Sequence, residues 1–412
     1  MTACSLLQGA PWLKRLPGRL GQAYHGLTPH RCIEHRMDDS LQACLRLVEP
    51  SIDPTLISPE ALTCIGRVAS MLPVEAMFGF ECHLGQSSGW ADFGVGLLTS
   101  DGSRDAFMRL DPSVFTAQGA SQVDSSWCKI LDFCRVWRDP GSPLHDTVAN
   151  VAFEFDLPGP PGDLPIPCFL FQFKPAAQQR VTIIEIALQL LLGCSVSPPV
   201  LHNVRRCLGA LPEGASVYGV GLMLTRGIEG VRLAFSGASA ERWIEYATLV
   251  GWPGDPDDLA RALGELPRMA DHVTLNLDVG SRISPRIGFE CSLGKERARG
   301  RQGFRCMFDH LVERGICLPD NRDACLTWIG HTQERAGGAW PESLRRGSSN
   351  LTGRGLRVFT RRINHMKVAY QKGRPLDAKA YLTARHTWLY FDAARQQYVL
   401  DAAASPDGLN KL

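Results

Sequence analysis

The motif Gly-Phe-Glu-Cys-x-Leu-Gly occurs twice in this chain, at residues 79–85 and 288–294, a separation of 209 residues. In each copy, apolar side chains at every second position alternate with glycine, glutamate and a polar residue. This alternation is typical of a β-strand that buries one face. The separation is far too long for a solenoid repeat, so the recurrence predicts two related halves.

The same alternation predicts a third strand of this kind at residues 151–157 and further strands at 217–224, 231–235 and 273–279. Between them, apolar periodicity with capping residues and prolines predicts helices that begin near Pro59, Val200 and Ala240. We therefore expect an α/β (α+β) fold with two related halves, each a largely antiparallel sheet with packed helices. The predicted boundaries are an N-terminal lead-in at 1–55, a first half at 56–200 and a second half at 201–412 with a basic C-terminal segment.

Composition excludes several classes of protein. Hydrophobic residues make up 44% of the 412 residues and charged residues 21%, as in ordinary globular proteins. The formal net charge of +2 argues against a chain that binds nucleic acid or membrane through its total charge. No apolar run is long enough to span a bilayer, and no signal-peptide pattern follows the first basic residues. The prediction is a cytoplasmic protein.

The cysteine and histidine patterns do not predict a metal centre. None of the 14 cysteines forms a CxxC pair, which zinc ribbons require, so we interpret the cysteines as small buried hydrophobic residues. His25, His30 and His35 lie close together, but no two of them have metal-ligand spacing. Glycine-rich stretches also lack the frames of nucleotide-binding loops. The sequence thus predicts neither a metal nor a cofactor.

Three glutamates, Glu81, Glu154 and Glu290, occupy the polar face of their predicted strands. A functional interpretation brings two of them together as an acid/base pair. The alternative is that each carboxylate faces solvent or accepts hydrogen bonds from a neighbouring loop. Glu81 and Glu290 remain the candidates for catalysis.

Positive charge is concentrated near the C-terminus, where residues 335–385 contain 12 Lys and Arg but two acidic residues, with aromatic side chains between them. Such a segment is typical of a nucleic-acid surface, of a groove for an acidic peptide, or of a solvated strand face. The balanced charge of the whole chain argues against the first of these.

The strand motifs, together with the segments that begin at Val151, Leu277 and Arg362, resemble a family of uncharacterised bacterial proteins encoded near ribosomally synthesised and modified peptides. The best-defined members are the precursor-binding proteins of crocagin biosynthesis. The resemblance covers most of residues 75–388. It implies a protein that binds a precursor peptide, by its leader, its core or both, and presents it to tailoring enzymes. It implies no catalytic residue.

The resemblance and the basic segment together suggest a set of residues that contact the peptide. They are Arg357, Phe359, Arg361, Arg362, His365, Lys367 and Tyr370. A tailoring oxidase or a homologous protein is a further candidate partner. The alternative is an enzyme that catalyses a cyclisation or isomerisation of the bound peptide through Glu81 or Glu290. The absence of a catalytic motif favours a binding protein.

Overall fold

The structure is a computed structural model, and it describes most of the chain between residues 40 and 400. The described ranges are 40–99, 102–116, 123–157, 164–175, 180–192, 196–224, 230–294, 301–333, 340–341, 344, 355–392 and 397–400. The side chains of 355–357, 388–392 and 397–400 are not part of this description. The histidine cluster at His25, His30 and His35, and most of the predicted lead-in, lie outside the described residues.

All described strands belong to one antiparallel sheet, in the order β12-β11-β1-β2-β3-β4-β5-β6-β7-β8-β10-β9. Because β10 also pairs with β11, ten of the strands close into a barrel, and β9 and β12 extend the sheet beyond the closure. The strands are β1 Met77–His83, β2 Ala91–Leu98, β3 Val148–Phe155, β4 Cys168–Phe173, β5 Ser216–Leu222, β6 Gly230–Ser236, β7 His272–Gly280, β8 Ile283–Ser292, β9 Gly330–Gln333, β10 Gly355–Tyr370, β11 Asp377–Asp392 and β12 Gln397–Leu400.

Helices lie against the outer face of this barrel. The α-helices are α1 Leu41–Val48, α2 Pro59–Ser70, α3 Ser103–Phe107, α4 Ser125–Arg138, α5 Pro143–Thr147, α6 Arg180–Leu192, α7 Pro198–Gly209, α8 Ala240–Leu249, α9 Pro256–Leu263, α10 Leu266–Met269, α11 Arg301–Glu313 and α12 Pro319–Trp328. Two short 3₁₀ helices occur at Glu49–Ser51 and Pro112–Phe115. Several helices begin as their sequence predicts; in α2, the Ser58 side chain accepts a hydrogen bond from the Ala61 amide at 3.2 Å.

The hydrophobic core lies between the barrel and the helices. Outward-facing phenylalanines of the strands contact aromatic side chains of the helices: Phe80 meets Trp328 of α12 with ring centroids 5.7 Å apart, and Phe169 meets Phe133 of α4 at 4.9 Å. Such edge-to-face pairs are favourable packing geometries for aromatic rings. The apolar face of each strand therefore points out of the barrel, and the polar face points into its lumen.

The structure confirms much of the pattern inferred from the sequence. Strands occur at both copies of the repeated motif, at β3 and along 355–370, and the chain is α+β as expected. The description as two sheets in two halves is not confirmed, because both motif strands belong to the same closed sheet. Strand β11 has no counterpart among the predicted elements. Among the described helices, none is both long enough and apolar enough to cross a membrane.

Two glycines on adjacent strands provide a direct test of how tightly the barrel is closed. A Cβ at Gly79 would overlap the carbonyl oxygen of Leu382 on β11, whereas a Cβ at Gly94 of β2 would approach no atom more closely than 3.8 Å. We expect Gly79→Ala to destabilise the protein by about 2 kcal/mol, because the β1–β11 pairing has to shift. Gly94→Ala should change the stability by less than about 1 kcal/mol.

The measurement is the urea unfolding midpoint of the two variants and the wild type. Equal midpoints for Gly79→Ala and Gly94→Ala would contradict the tight pairing of β1 with β11.

Candidate functional site

A cavity of about 190 Å³ lies inside the barrel, lined by inward-facing residues of eight neighbouring strands, β1 to β8, and of the closing pair β10 and β11. Part of its wall is backbone, because glycines occupy inward-facing positions of β1, β2 and β5. They are Gly79, Gly94, Gly96, Gly219 and Gly221. Glycine in a strand interior often marks a place where another group approaches the backbone closely. The Gly-Val-Gly sequences of β2 and β5 therefore form the wall of this cavity.

Glu290 of β8 lies at the centre of a polar cluster in the lumen. Its carboxylate accepts hydrogen bonds from the Tyr218 hydroxyl at 2.9 Å and the Thr274 hydroxyl at 3.1 Å, and Lys367 Nζ lies 3.4 Å away. Burial alone would raise the pKa of Glu290, but His365, Lys367 and the two hydroxyl groups outweigh it and lower the pKa to about 2. Glu290 is therefore an ionised, firmly held carboxylate at neutral pH.

Glu81 of β1 forms the second buried ion pair. Its Oε1 contacts Lys379 Nζ of β11, and its side chain is 6% exposed. Its Oε2 has no hydrogen-bond partner among the described residues. Burial opposes ionisation, but Lys379 and Lys367 lower the pKa of Glu81 to about 2. Glu81 is therefore an ionised carboxylate held in place by Lys379 of the neighbouring strand.

A third ion pair joins neighbouring strands on the opposite wall. Arg232 of β6 donates two hydrogen bonds to Asp278 of β7, from Nε to Oδ1 at 2.7 Å and from Nη2 to Oδ2 at 3.0 Å. Bidentate pairs of this kind fix the orientation of both side chains. Among the described residues of the lumen, the cations Arg232, Lys367 and Lys379 each contact a carboxylate.

The aromatic ring of Tyr381 stacks on His365, with ring centroids 4.0 Å apart and planes 23° apart. Burial lowers the pKa of His365, so its imidazole is neutral at pH 7. Its Nε2 has no hydrogen-bond partner among the described residues. A neutral imidazole beside an ionised carboxylate is a pair suited to proton transfer.

A second cavity of about 170 Å³ lies next to the first, towards the ends of β5 to β8. Tyr218, Glu290 and His365 line both cavities. Hydroxyl groups of Ser236 and Ser292 add to its polar lining. The cluster around Glu290 therefore lies at the boundary between two compartments of one site.

Three carboxylates meet at the β1–β2–β3 side of the lumen. Oxygen atoms of Glu81, Asp92 and Glu154 lie within 4.8 Å of one another. Such an all-oxygen arrangement could hold a hard metal ion. Burial, followed by the charge of Glu81, raises the pKa of Asp92.

The structure separates the residues predicted to contact a peptide. His365 and Lys367 face the lumen with both candidate glutamates, Glu81 and Glu290. Phe359 and Arg361 are buried on the outer face, where Arg361 Nε donates to the Trp328 carbonyl at 3.0 Å.

The other three predicted contacts lie elsewhere on β10. Tyr370 packs against Trp252, Arg362 is exposed, and Arg357 belongs to β10 by its backbone.

Several lumen residues were missed by the sequence analysis, namely Tyr218, Arg232, Lys379 and Tyr381. The sequence contains a signal for two of them, Lys379 and Tyr381, because small or apolar residues alternate with polar ones along β11 from Ala378 to Ala384. Alanine is a poor strand former, which concealed this pattern.

No family model matches the sequence, and no curated protein matches it. The chain is similar to several solved prenyltransferase structures. The apo form of prenyltransferase PriB is 13% identical and covers 83% of this chain and 93% of its own, with a TM-score of 0.45. The 5-dimethylallyltryptophan synthase from Streptomyces coelicolor is 12% identical, with 84% and 97% coverage and a TM-score of 0.43. With identities of 12% and 13% and TM-scores of 0.43 and 0.45, this likeness gives no information about the activity of the chain.

The buried glutamates predict how stability depends on pH. The lowered pKa of Glu81 and Glu290 means that the unfolded chain takes up protons first as the pH falls below the ordinary carboxyl range. The stabilisation is complete above about pH 5 and is lost towards pH 2, on the order of 3 kcal/mol for each group.

Glu290→Gln should lower the urea unfolding midpoint at pH 7, because Lys367 and Tyr218 lose their charged partner. As the pH falls from about 5 towards 2, this variant should lose less stability than the wild type does. The matched control is Glu265→Gln, at an exposed glutamate that pairs with Arg268 on the surface. If the stability of Glu290→Gln falls with decreasing pH as steeply as that of the wild type, Glu290 is not ionised in the folded protein.

Proposed function

We propose that this protein is a cytoplasmic binder of a ribosomal precursor peptide and that part of the peptide enters the lumen of the barrel. The observation that carries the proposal is the cavity itself. Glycine backbone forms part of its wall, and ion pairs surround it. Three of its buried polar atoms have no hydrogen-bond partner among the described residues: Glu81 Oε2, Asn276 Nδ2 and His365 Nε2. Buried polar atoms normally have partners, so these three favour a polar ligand.

The identity of the ligand as a peptide comes from the resemblance of the strand motifs, and the lumen is compatible with it. A peptide offers amide donors and acceptors for these atoms, and a side chain of the peptide could occupy the space above Gly94. In the closed barrel, β1 to β8 have strand neighbours on both sides, so the lumen is a better site than strand addition. The peptide would then be held by one end or one loop while tailoring enzymes act on the rest.

This function is tested by isothermal titration calorimetry with the short peptide encoded beside the gene. We expect binding in the micromolar range, and we expect Gly94→Leu to weaken it at least about tenfold, because the leucine fills the cavity. Gly209→Leu is the matched control, since Gly209 lies at the exposed end of α7 with no atom within 4 Å of a Cβ. Absence of heat with the wild type, or equal effects of the two leucines, would refute lumen binding.

A second candidate is an enzyme that cyclises or isomerises the bound peptide. The observation that favours it is the pairing of ionised Glu290 with neutral His365 and with the Tyr218 hydroxyl at the boundary between the two cavities. The neutral imidazole of His365 could remove a proton from a bound amide or side chain and return it at another atom, while the ionised Glu290 stabilises the imidazolium that forms.

If the protein is such an enzyme, incubation with this protein alone should change the mass or the absorbance of the peptide. Tyr218→Phe should slow this change by about 100-fold while leaving peptide affinity within about threefold, because the hydroxyl acts on the reaction and not on the fold of the lumen. Glu290→Gln should abolish it. If the peptide stays unchanged, or changes at the same rate with Glu290→Gln, Glu290 has no catalytic role.

A further inference from the structure

Asn276 of β7 is a buried residue whose side-chain amide makes no hydrogen bond with the described residues. It is 7% exposed and lines the central cavity. Its Nδ2 has no partner among the described residues, and its Oδ1 accepts no hydrogen bond from them. Buried side-chain amides normally have at least one partner. The side chain therefore offers both a donor and an acceptor to a ligand in the lumen.

The lumen-facing residues on either side of Asn276 do have partners. Thr274 donates a hydrogen bond to Glu290 at 3.1 Å, and Asp278 accepts two hydrogen bonds from Arg232. Alternate residues of a strand face the same side, so Asn276 lies between these two fixed side chains. Of these three residues of β7, Asn276 is the one that is not used in the packing of the lumen.

The ladder neighbours of Asn276 are too small to supply the missing partners. Asn276 lies opposite Ala234 of β6 and Gly288 of β8, and Ala234 lies opposite Gly219 of β5. Ala234 and Gly219 also line the central cavity. The next long side chain in this row is Gln172 of β4, three strands away from Asn276. On its β6 side, the amide of Asn276 is therefore next to the cavity.

The charges near Asn276 favour a neutral ligand. A Cβ on Gly288 would lie 3.5 Å from Asn276 Cβ and 3.9 Å from Lys367 Nζ, so the ammonium group is close to the amide. This ammonium group contacts Glu290 at 3.4 Å, and Arg232 contacts a carboxylate of β7. Because these charges are already paired, a charged ligand group would be buried here without a counter-ion, which is costly.

Among the neutral groups of a peptide, a primary carboxamide matches Asn276 best. It carries a donor and an acceptor side by side, so two side-chain amides can exchange two hydrogen bonds. An asparagine amide uses the same pair of atoms to recognise adenine in DNA. A backbone amide points its N–H and its C=O in opposite directions, because the peptide bond is planar and trans. Ammonium and guanidinium groups offer only donors, and carboxylates offer only acceptors.

We propose that Asn276 binds the side-chain carboxamide of an asparagine or glutamine of the peptide, with the stem of that side chain against Ala234 and the backbone of Gly219. This inference rests on the proposed function, because it names the group of the peptide that the lumen recognises. A site built to hydrogen-bond its ligand rejects analogues without the matching group, since its own buried polar atoms are then left unpaired. Asn276 therefore selects a carboxamide over an apolar side chain of the same length.

The test measures the affinity of three probes for the full-length protein by ligand-observed NMR at neutral pH. The probes are the Nα-acetyl methylamides of glutamine, methionine and glutamate, whose side chains have similar lengths. The glutamine probe should bind at least about tenfold more tightly than either of the others. The methionine probe lacks the amide, and the glutamate probe lacks the donor and carries a charge.

Asn276→Leu should remove this preference and leave the urea unfolding midpoint unchanged or higher, because an apolar side chain of similar size replaces a buried amide without partners. Asn276→Asp loses the donor and should also remove the preference. The matched control is Asn203→Leu. Asn203 is likewise 7% exposed, but its Nδ2 donates to the carbonyls of Gly280 and Ser281, both at 2.9 Å. This control should have a lower midpoint and an unchanged preference for the glutamine probe.

Four binding results would overturn the inference: no detectable binding of the glutamine probe, equal binding of the glutamine and methionine probes, tighter binding of the glutamate probe, or a glutamine preference that survives in either variant of Asn276. A midpoint for Asn276→Leu that falls as far as that of Asn203→Leu would also overturn it, because the amide would then have a structural partner.

Calorimetry with the encoded peptide separates this inference from the proposed function. If the peptide binds equally well to the wild type and to Asn276→Leu, peptide binding stands and the carboxamide is not what Asn276 recognises. If the peptide gives no heat but the glutamine probe is preferred and the preference depends on Asn276, the carboxamide site stands and peptide binding is refuted.

Discussion

The pairing of β10 with β11 is the interaction on which the rest of the structure depends. These two strands pair with each other, and on their other sides β10 pairs with β8 and β11 with β1, which closes the sheet. They also bring the two lysines that neutralise the buried glutamates: Lys379 of β11 contacts Glu81, and Lys367 of β10 contacts Glu290. Without closure, both carboxylates would lie on the polar face of an open sheet, and no lumen would exist.

The ion pairs of the lumen are better understood as determinants of position than as sources of stability. Replacing both members of a buried ion pair with apolar residues often leaves the stability of a protein unchanged, whereas removing one partner is strongly destabilising. A strand that slipped by one residue would place Glu81 or Glu290 in the apolar layer beneath the helices, so the charges restrict the register of the barrel. The irregularity in β10 between Ile363 and His365 turns His365 and Lys367 towards the cavity, next to Glu290.

The sequence predicted the strands with strong alternation but not their assembly. In β1 and β8, large apolar side chains on one face and glutamate on the other indicate both the strand and its buried side, and the structure agrees. The same pattern arises whether the polar face meets water or the lumen of a barrel, so closure could not be inferred from it. Glu81 and Glu290 were identified as candidates, but their partners Tyr218 and Lys379 come from distant positions, and only the three-dimensional pairing brings them together.

The Glu81–Lys379 contact joins residues 298 positions apart in the chain. During synthesis, β1 gains its second neighbour only when β11, 298 positions further along the chain, has followed it. Until then its unpaired edge, bordered by Phe78 and Phe80, is a surface on which other chains can form β-structure. Long-range pairing of this kind also slows folding. A nascent chain of this protein therefore depends on protection of β1 until β11 has been made.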